Sequence, residues 1–161
     1  MSEQPNVTTV NRMTQAIVDR DSETLTSLFT DDFVLHLRGP FATACDHLGV
    51  AGILSNGDPQ MLAVAVKSAG LDGLLDPLLS VHEIRRYKTD PAAYALGPAA
   101  LKLPARDILF VSSNGWDAIG ATWFGYTTLW VNRSNLPLEQ LDTSPTRTGS
   151  SLRDVLGFFP T

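Results

Sequence analysis

The sequence contains a single cysteine, Cys45, among 161 residues, so no disulfide can form within the chain and a reducing compartment is expected. Positive charge is also scarce, because 12 lysines and arginines face 17 aspartates and glutamates. Without a basic stripe to neutralise phosphates, nucleic acid is a poor candidate partner. No apolar run reaches the ~18 residues of a membrane-spanning helix, and MSEQPNVTT lacks the pattern of a signal peptide. We therefore expect a soluble, cytoplasmic protein with no membrane association.

Apolar residues make up 43% of the chain, which is enough to bury a core, and the length predicts one domain or slightly more. From about residue 50, short apolar runs alternate with helical patterns. Strands are predicted at Val50–Leu54, Leu78–Val81, Ile108–Ser112 and Thr127–Asn132, and helices at Pro59–Ala69, Pro91–Ala100 and Trp116–Phe124. This alternation predicts an α/β fold in which a partial, Rossmann-like parallel sheet is covered by helices.

The two ends of the chain follow other patterns. At the start, the spacing predicts a helix over residues 7–20, a second short helix capped by Asp21 or Ser22, and a strand over Phe33–Leu37 that ends at Arg38-Gly39-Pro40. Near the other end, Ser144–Ser151 predicts a loop and Leu152–Phe159 a short docked helix.

Polar residues follow three of the predicted strands. Ser55 and Asn56 follow the first, Lys88 lies a short segment beyond the second, and Ser112 to Asp117 follow the third. In a doubly wound sheet, ligands bind at the carboxyl ends of the strands. We therefore expect these side chains to converge on one crevice.

Three segments in this region resemble successive motifs of a known family: LSNGDPQML at 54–62, YKTDPAAY at 87–94 and ILFVSSNGWDAIGATWFGYTTLWVNR at 108–133. They are similar to motifs of the L-2-haloacid dehalogenases, a branch of the haloacid dehalogenase superfamily. The resemblance runs from Leu54 to about Phe159. The SSN-x-WD form favours dehalogenases over the superfamily's phosphatases, which usually carry a magnesium-binding GD-xxx-D pattern. It therefore implies a haloacid dehalogenase-type fold with no metal and no other cofactor.

The resemblance also implies four catalytic residues. Lys88 matches a cation beside the nucleophilic carboxylate, which would keep that carboxylate ionised and stabilise shifting negative charge. Ser112, Asn114 and Asp117 match the set that positions this lysine and the water that attacks an ester intermediate. Within that set, Asp117 is the best candidate to orient or deprotonate the water.

Four further residues match substrate-binding positions. Ser55 and Asn56 match groups that contact the substrate carboxylate or the leaving halide, Tyr94 matches part of the supporting polar network, and Trp116 matches an aromatic wall of the pocket. Taken singly, these residue types have simpler explanations: Ser55-Asn56-Gly57 as a turn, Lys88 as a solvated charge, and Asp117 as an acid favoured by a helix dipole. Their order and spacing favour a site. The implied partner is a short 2-haloacid or related carboxylate, and a homodimer is compatible with this class.

The family's chemistry needs an aspartate nucleophile at the end of a central strand, followed by an aromatic residue, Gly and Thr. No segment before Leu54 has this pattern. If Phe33–Leu37 took the central position, Leu37 or Arg38 would stand where the carboxylate belongs, and Asp31 and Asp32 would lie at the opposite end of the strand. The helical cap domain and its arginine are also not recognised. We therefore expect little or no turnover.

The first 52 residues resemble the start of SnoaL-like proteins of the NTF2-like superfamily, through two short helices, DDFVLHLRGP and DHLGVAGIL. This resemblance implies an incomplete α+β segment over residues 1–52, followed by a dehalogenase-like core over 53–161. Three functions stay open at this point: a haloacid dehalogenase, a non-catalytic domain that binds a small anion or ligand, and a fusion fragment without function.

Overall fold

The computed structural model of the chain describes residues 35–38 and 51–158. The two predicted N-terminal helices, Asp31, Asp32 and Cys45 lie outside the described residues. Among the described helices, none is long and apolar enough to cross a membrane.

The strands are β1 (Leu35–Arg38), β2 (Ile53–Ser55), β3 (Leu78–Ser80), β4 (Ile108–Ser112), β5 (Thr127–Val131) and β6 (Arg147–Gly149). The helices are α1 (Pro59–Ser68), α2 (Pro91–Leu101) and α3 (Gly115–Phe124), with 3-10 turns at Ala105–Asp107 and Leu152–Phe158. The seven elements predicted between residues 50 and 132 are confirmed to within a few residues, and β4 has the predicted bounds. The short terminal helix is also confirmed, as 3-10 rather than α-helix.

Local sequence explains where the helices begin and end. Asp58 and Asp90 cap α1 and α2, since the side chain of each accepts a hydrogen bond of 2.8 Å from a backbone N–H two residues later. A proline follows each cap, where its missing N–H costs nothing. Gly125 ends α3 with a φ of 111°, a left-handed conformation that other residues adopt at a cost.

The sheets are mainly parallel. β4, β5 and β6 are parallel neighbours, and β2 and β3 form a separate parallel pair. The core lies on both faces of β4: Phe110 packs on one side with Tyr94 and Tyr126, while Leu109 and Val111 pack on the other against the C-terminal 3-10 turn. An α/β fold with parallel strands and flanking helices is therefore confirmed.

The direction of β1 differs from the expectation. β1 pairs antiparallel with β4, with Leu35 opposite Val111 and Arg38 opposite Ile108, and it also approaches β2. The amino end of β1, rather than Leu37 or Arg38, therefore lies at the carboxyl end of β4. The sequence expectation assumed a parallel strand, and a period-2 pattern carries no information on direction. Pairing crosses the predicted boundary between residues 52 and 53, and the division into two domains stays a prediction.

The prediction of a loop over Ser144–Ser151 was wrong for residues 147–149. Residues 147–149 form β6, which pairs with β5 through Leu129–Arg147 and Val131–Gly149. Just before it, Thr146 exchanges hydrogen bonds with Thr128, at 3.0 Å and 2.8 Å. The polar composition suggested a loop because an edge strand of three residues needs little apolar surface.

Candidate functional site

The predicted site residues lie near the carboxyl ends of β2, β3 and β4, except Tyr94, which lies inside α2. Ser55 ends β2 and Asn56 follows it, Lys88 lies in the segment after β3, and Ser112 ends β4 with Asp117 in the first turn of α3. The crevice between these ends is where ligands bind in open α/β sheets. Hydrogen bonds join Lys88 to residues on both of its sides, so the structure brings the three motifs together.

Lys88 and Asp117 form a buried ion pair at the centre of this region. Lys88 Nζ lies 3.1 Å from Asp117 Oδ2, and the two side chains are only 4% and 2% exposed. The ammonium group also lies over the ring of Phe110, 5.0 Å from its centroid. Burial lowers the pKa of Lys88 from its ordinary value, while the charge of Asp117 and its hydrogen bond oppose that shift.

Asp117 is held by hydroxyl groups as well. Ser112 Oγ donates to Asp117 Oδ2 at 2.9 Å, and Tyr94 Oη donates to Asp117 Oδ1 at 2.9 Å. Burial and the nearby Asp117 charge raise the pKa of Tyr94, so its hydroxyl keeps its proton and remains a donor. With Lys88 included, three donors occupy one carboxylate, which fixes both its position and that of the ammonium group.

The remaining predicted residues are less tightly held. Asn56 Oδ1 accepts a hydrogen bond of 2.8 Å from the backbone N–H of Lys88. Ser55 Oγ accepts one of 2.9 Å from Gly57 N, so the simpler explanation of this segment as a turn also applies. Asn114 stands at the N-cap position of α3, but its side chain makes no capping hydrogen bond. Its backbone N–H donates to Ser112 Oγ at 3.2 Å. Trp116 is 40% exposed on α3.

A cavity of about 330 Å³ opens beside Asn56. Its lining is mostly polar, and three of its side chains are basic: His82, Arg85 and Arg86. The other lining residues are Asn56, Asp58, Val81 and Tyr87. Trp116 is not among these residues. Within the described part of the chain, no group of three or more His, Cys, Asp and Glu residues is placed to hold a metal ion.

Sequence reasoning missed several residues that support the site, Ser80 and Gly120 among them. Ser80 Oγ donates to Gly57 O at 2.6 Å and so ties the end of β3 to the turn after β2. Gly120 faces Tyr94, because a Cβ added at this glycine would overlap Tyr94 Oη. A glycine in the middle of a predicted helix, where it costs stability, was the available signal for this close approach.

Comparisons with known proteins agree with the dehalogenase resemblance. The protein-family description "haloacid dehalogenase-like hydrolase" matches residues 16–125. The (S)-2-haloacid dehalogenase of Pseudomonas sp. (strain YL) is 46% identical over 109 residues, which cover 68% of this chain and 47% of that protein. The chain spans about half the length of the curated relatives it matches.

Solved structures give the same result. The crystal structure of the L-2-haloacid dehalogenase RSc1362 has a TM-score of 0.65 and 63% identity, over 66% of this chain and 47% of that one. The L-2-haloacid dehalogenase from Xanthobacter autotrophicus, with chloropropionic acid covalently bound, has a TM-score of 0.60 and 32% identity, over 65% of this chain and 52% of that one.

These comparisons give no support to the SnoaL-like resemblance of residues 1–52. The family match begins at residue 16, inside that segment, and extends across the predicted junction to residue 125. Since it covers more than half of the chain, this protein belongs to the haloacid dehalogenase-like hydrolase family.

Proposed function

We propose that this chain carries part of the active site of a hydrolytic L-2-haloacid dehalogenase, which converts short L-2-haloacids into 2-hydroxy acids. The observation that carries the proposal is the buried Lys88–Asp117 pair at the carboxyl ends of the strands. A buried, hydrogen-bonded cation at this edge suits a reaction in which negative charge moves between a carboxylate, a halide and a water-derived oxygen.

The proposed reaction has two steps. A carboxylate oxygen attacks C2 of the haloacid, the carbon–halogen bond breaks, and halide leaves with the bonding electrons, which forms an ester. Water then attacks the ester carbonyl carbon, and the bond from that carbon to the C2 oxygen breaks. One proton of the water passes to this oxygen to give the 2-hydroxy acid, and the other leaves to solvent as the carboxylate is regenerated. The substrate class is supported by the names of the relatives, which are 2-haloacid dehalogenases. A covalent step is supported by the structure from Xanthobacter autotrophicus, in which chloropropionic acid is covalently bound.

In this proposal Lys88 holds the nucleophile ionised and stabilises the charge that develops in each step. Asp117, Ser112 and Asn114 position Lys88 and the attacking water. The three donors already on the Asp117 carboxylate favour an orienting role over proton abstraction. Ser55 and Asn56 bind the substrate carboxylate or halide, and Tyr94 supports Asp117. Trp116 stays a predicted pocket wall, although it does not line the cavity beside Asn56.

No nucleophilic carboxylate is recognised among the described residues. Of the carboxylates in the described ranges 35–38 and 51–158, only Asp117 contacts Lys88, and it is fully engaged. The attacking carboxylate must therefore come from elsewhere, and we expect little turnover. Arg85 in the lining of the cavity beside Asn56 supports binding of an anionic substrate even where turnover is slow, while His82 and Arg86 lie beside Asp58 and Asp90. A cytoplasmic location and assembly as a homodimer stay predictions.

The test is a paired assay on the full chain with the L and D forms of 2-chloropropionate. Chloride release and calorimetric binding are measured on the natural protein and on Lys88→Ala. We expect binding, and any chloride release, to favour the L form and to be lost in Lys88→Ala. Mass spectrometry of peptides after a short incubation would locate the ester and thereby the nucleophile. Absence of binding at millimolar ligand, together with chloride release equal to that of Lys88→Ala, would overturn the proposal.

A further inference from the structure

Helix α2 contains a proline in its interior, at Pro98. In an α-helix the N–H of each residue donates to the carbonyl oxygen four residues earlier, and proline has no N–H. The carbonyl that loses its donor here is that of Tyr94, the residue whose hydroxyl holds Asp117. Tyr94 is buried, with 1% exposure, so water cannot readily replace the missing donor.

Tyr126, which precedes β5, supplies that donor. Tyr126 Oη donates a buried hydrogen bond of 2.6 Å to the Tyr94 carbonyl oxygen. Gly97 makes the contact sterically feasible, because a Cβ at this position would overlap Tyr126 Oη. Burial raises the pKa of the Tyr126 hydroxyl, so it stays protonated and able to donate. Around the Tyr94 carbonyl, Pro98 therefore removes the helical donor, Tyr126 supplies another, and Gly97 leaves space for it.

The rings extend these contacts towards the lysine. The ring of Tyr126 lies 5.2 Å from that of Phe110, and Phe110 in turn lies beneath the ammonium group of Lys88 at 5.0 Å. Tyr126 therefore reaches the ion pair by two routes: through the Tyr94 hydroxyl to Asp117, and through the Phe110 ring to Lys88.

We propose that Tyr126 is a positioning residue of the site: its hydroxyl replaces the helical donor removed by Pro98 and thereby holds Tyr94 where it orients the Asp117–Lys88 pair. The relevance of this to catalysis rests on the proposed dehalogenase function. The positioning itself can be tested without turnover, so the two proposals can fail separately.

The experiment is a double-mutant cycle with Tyr126→Phe, Pro98→Ala and the double variant. Phenylalanine keeps the ring and removes only the hydroxyl, and the alanine introduced by Pro98→Ala restores a helical N–H to the Tyr94 carbonyl. One readout is the Tm. The other is an NMR titration of lysines labelled with carbon-13 at the ε position, in which Lys88 needs to be distinguished only from Lys67 and Lys102.

We expect Tyr126→Phe to lower the Tm by about 2–8 °C, as for loss of one buried hydrogen bond. We also expect a lower titration midpoint for Lys88, because a less well held Asp117 compensates less for burial. In the Pro98→Ala background, Tyr126→Phe should change both quantities much less. If Tyr126→Phe does not fold, the double variant should.

Two results would overturn the proposal. One is a fall in Tm for Tyr126→Phe with an unmoved Lys88 midpoint, which would make the hydroxyl structural only. The other is an equal effect of Tyr126→Phe in the natural and the Pro98→Ala background, which would show that the hydroxyl does not replace the donor lost at Pro98. Failure of both Tyr126→Phe and the double variant to fold would show the same.

Discussion

The two sides of the crevice differ in how their polar groups are held. On the closed side, formed by Tyr94, Ser112, Asp117 and the ammonium group of Lys88, the charges and hydroxyls are buried and bonded to one another. On the open side, formed by Asn56, Asp58, His82 and Arg85, the groups are partly or fully exposed and line a cavity. We therefore expect the closed side to fix the position of one charge and the open side to contact a ligand.

The largest expected effect comes from breaking the closed side. Asp117→Ala leaves the buried Lys88 ammonium without its carboxylate, and we expect the free energy of unfolding to fall by about 3–5 kcal/mol. Urea denaturation measures this. The control is the double variant Lys88→Met/Asp117→Ala, which removes both charges and should recover part of the loss. A fall of less than about 1 kcal/mol in Asp117→Ala would mean that the two sides do not differ as described.

A smaller effect is expected where the two sides meet. Asn56→Ala removes the acceptor for the Lys88 backbone N–H, which should lower the free energy of unfolding by about 1–2 kcal/mol. Asn56→Asp retains an acceptor oxygen at the same position and should cost less. If the aspartate variant is as destabilised as the alanine variant, the 2.8 Å bond contributes little to stability.

The smallest effect is expected on the open side, at the pair formed by His82 Nδ1 and Asp58 Oδ2, 3.4 Å apart. These side chains are 64% and 39% exposed, so His82→Ala should change stability by less than about 0.5 kcal/mol. Asp58→Ala should cost about 1 kcal/mol, because Asp58 also caps α1. A double-mutant cycle by urea denaturation should give a coupling close to zero, and a large coupling would contradict the comparison.

Much of the fold was predictable because burial leaves a clear pattern. β4 is apolar through Ile108–Val111 and bounded by polar residues, so its limits could be read directly. Asp58 and Asp90 mark the starts of α1 and α2, and Gly125 marks the end of α3. The direction of β1 was not predictable, since alternation is the same in both directions, and β6 has too few apolar residues to differ from a loop.

The meeting of Lys88 and Asp117 was predictable from the sequence, but the bonding around them was not. Motif spacing placed Lys88 and Asp117 together, yet nothing local indicates that the Asp117 carboxylate receives three donors. The partnership of Gly97, Pro98 and Tyr126 joins distant parts of the chain through tertiary packing, and only the unpaired carbonyl implied by Pro98 hinted at it.

The two nitrogens of Lys88 bond to residues that lie beside different sheets. Its backbone N–H reaches Asn56 at the end of the β2–β3 pair, and its ammonium group reaches Asp117 beside β4. No strand pairing joins these two sheets in the described residues. Lys88 thus links the two sheets, together with the hydrophobic core that Leu54 of β2 shares with Phe110 of β4, so widening the crevice would pull on the cation. Any ligand that wedges the sheets apart would also displace the positive charge, and the width of the crevice and its electrostatic field would change together.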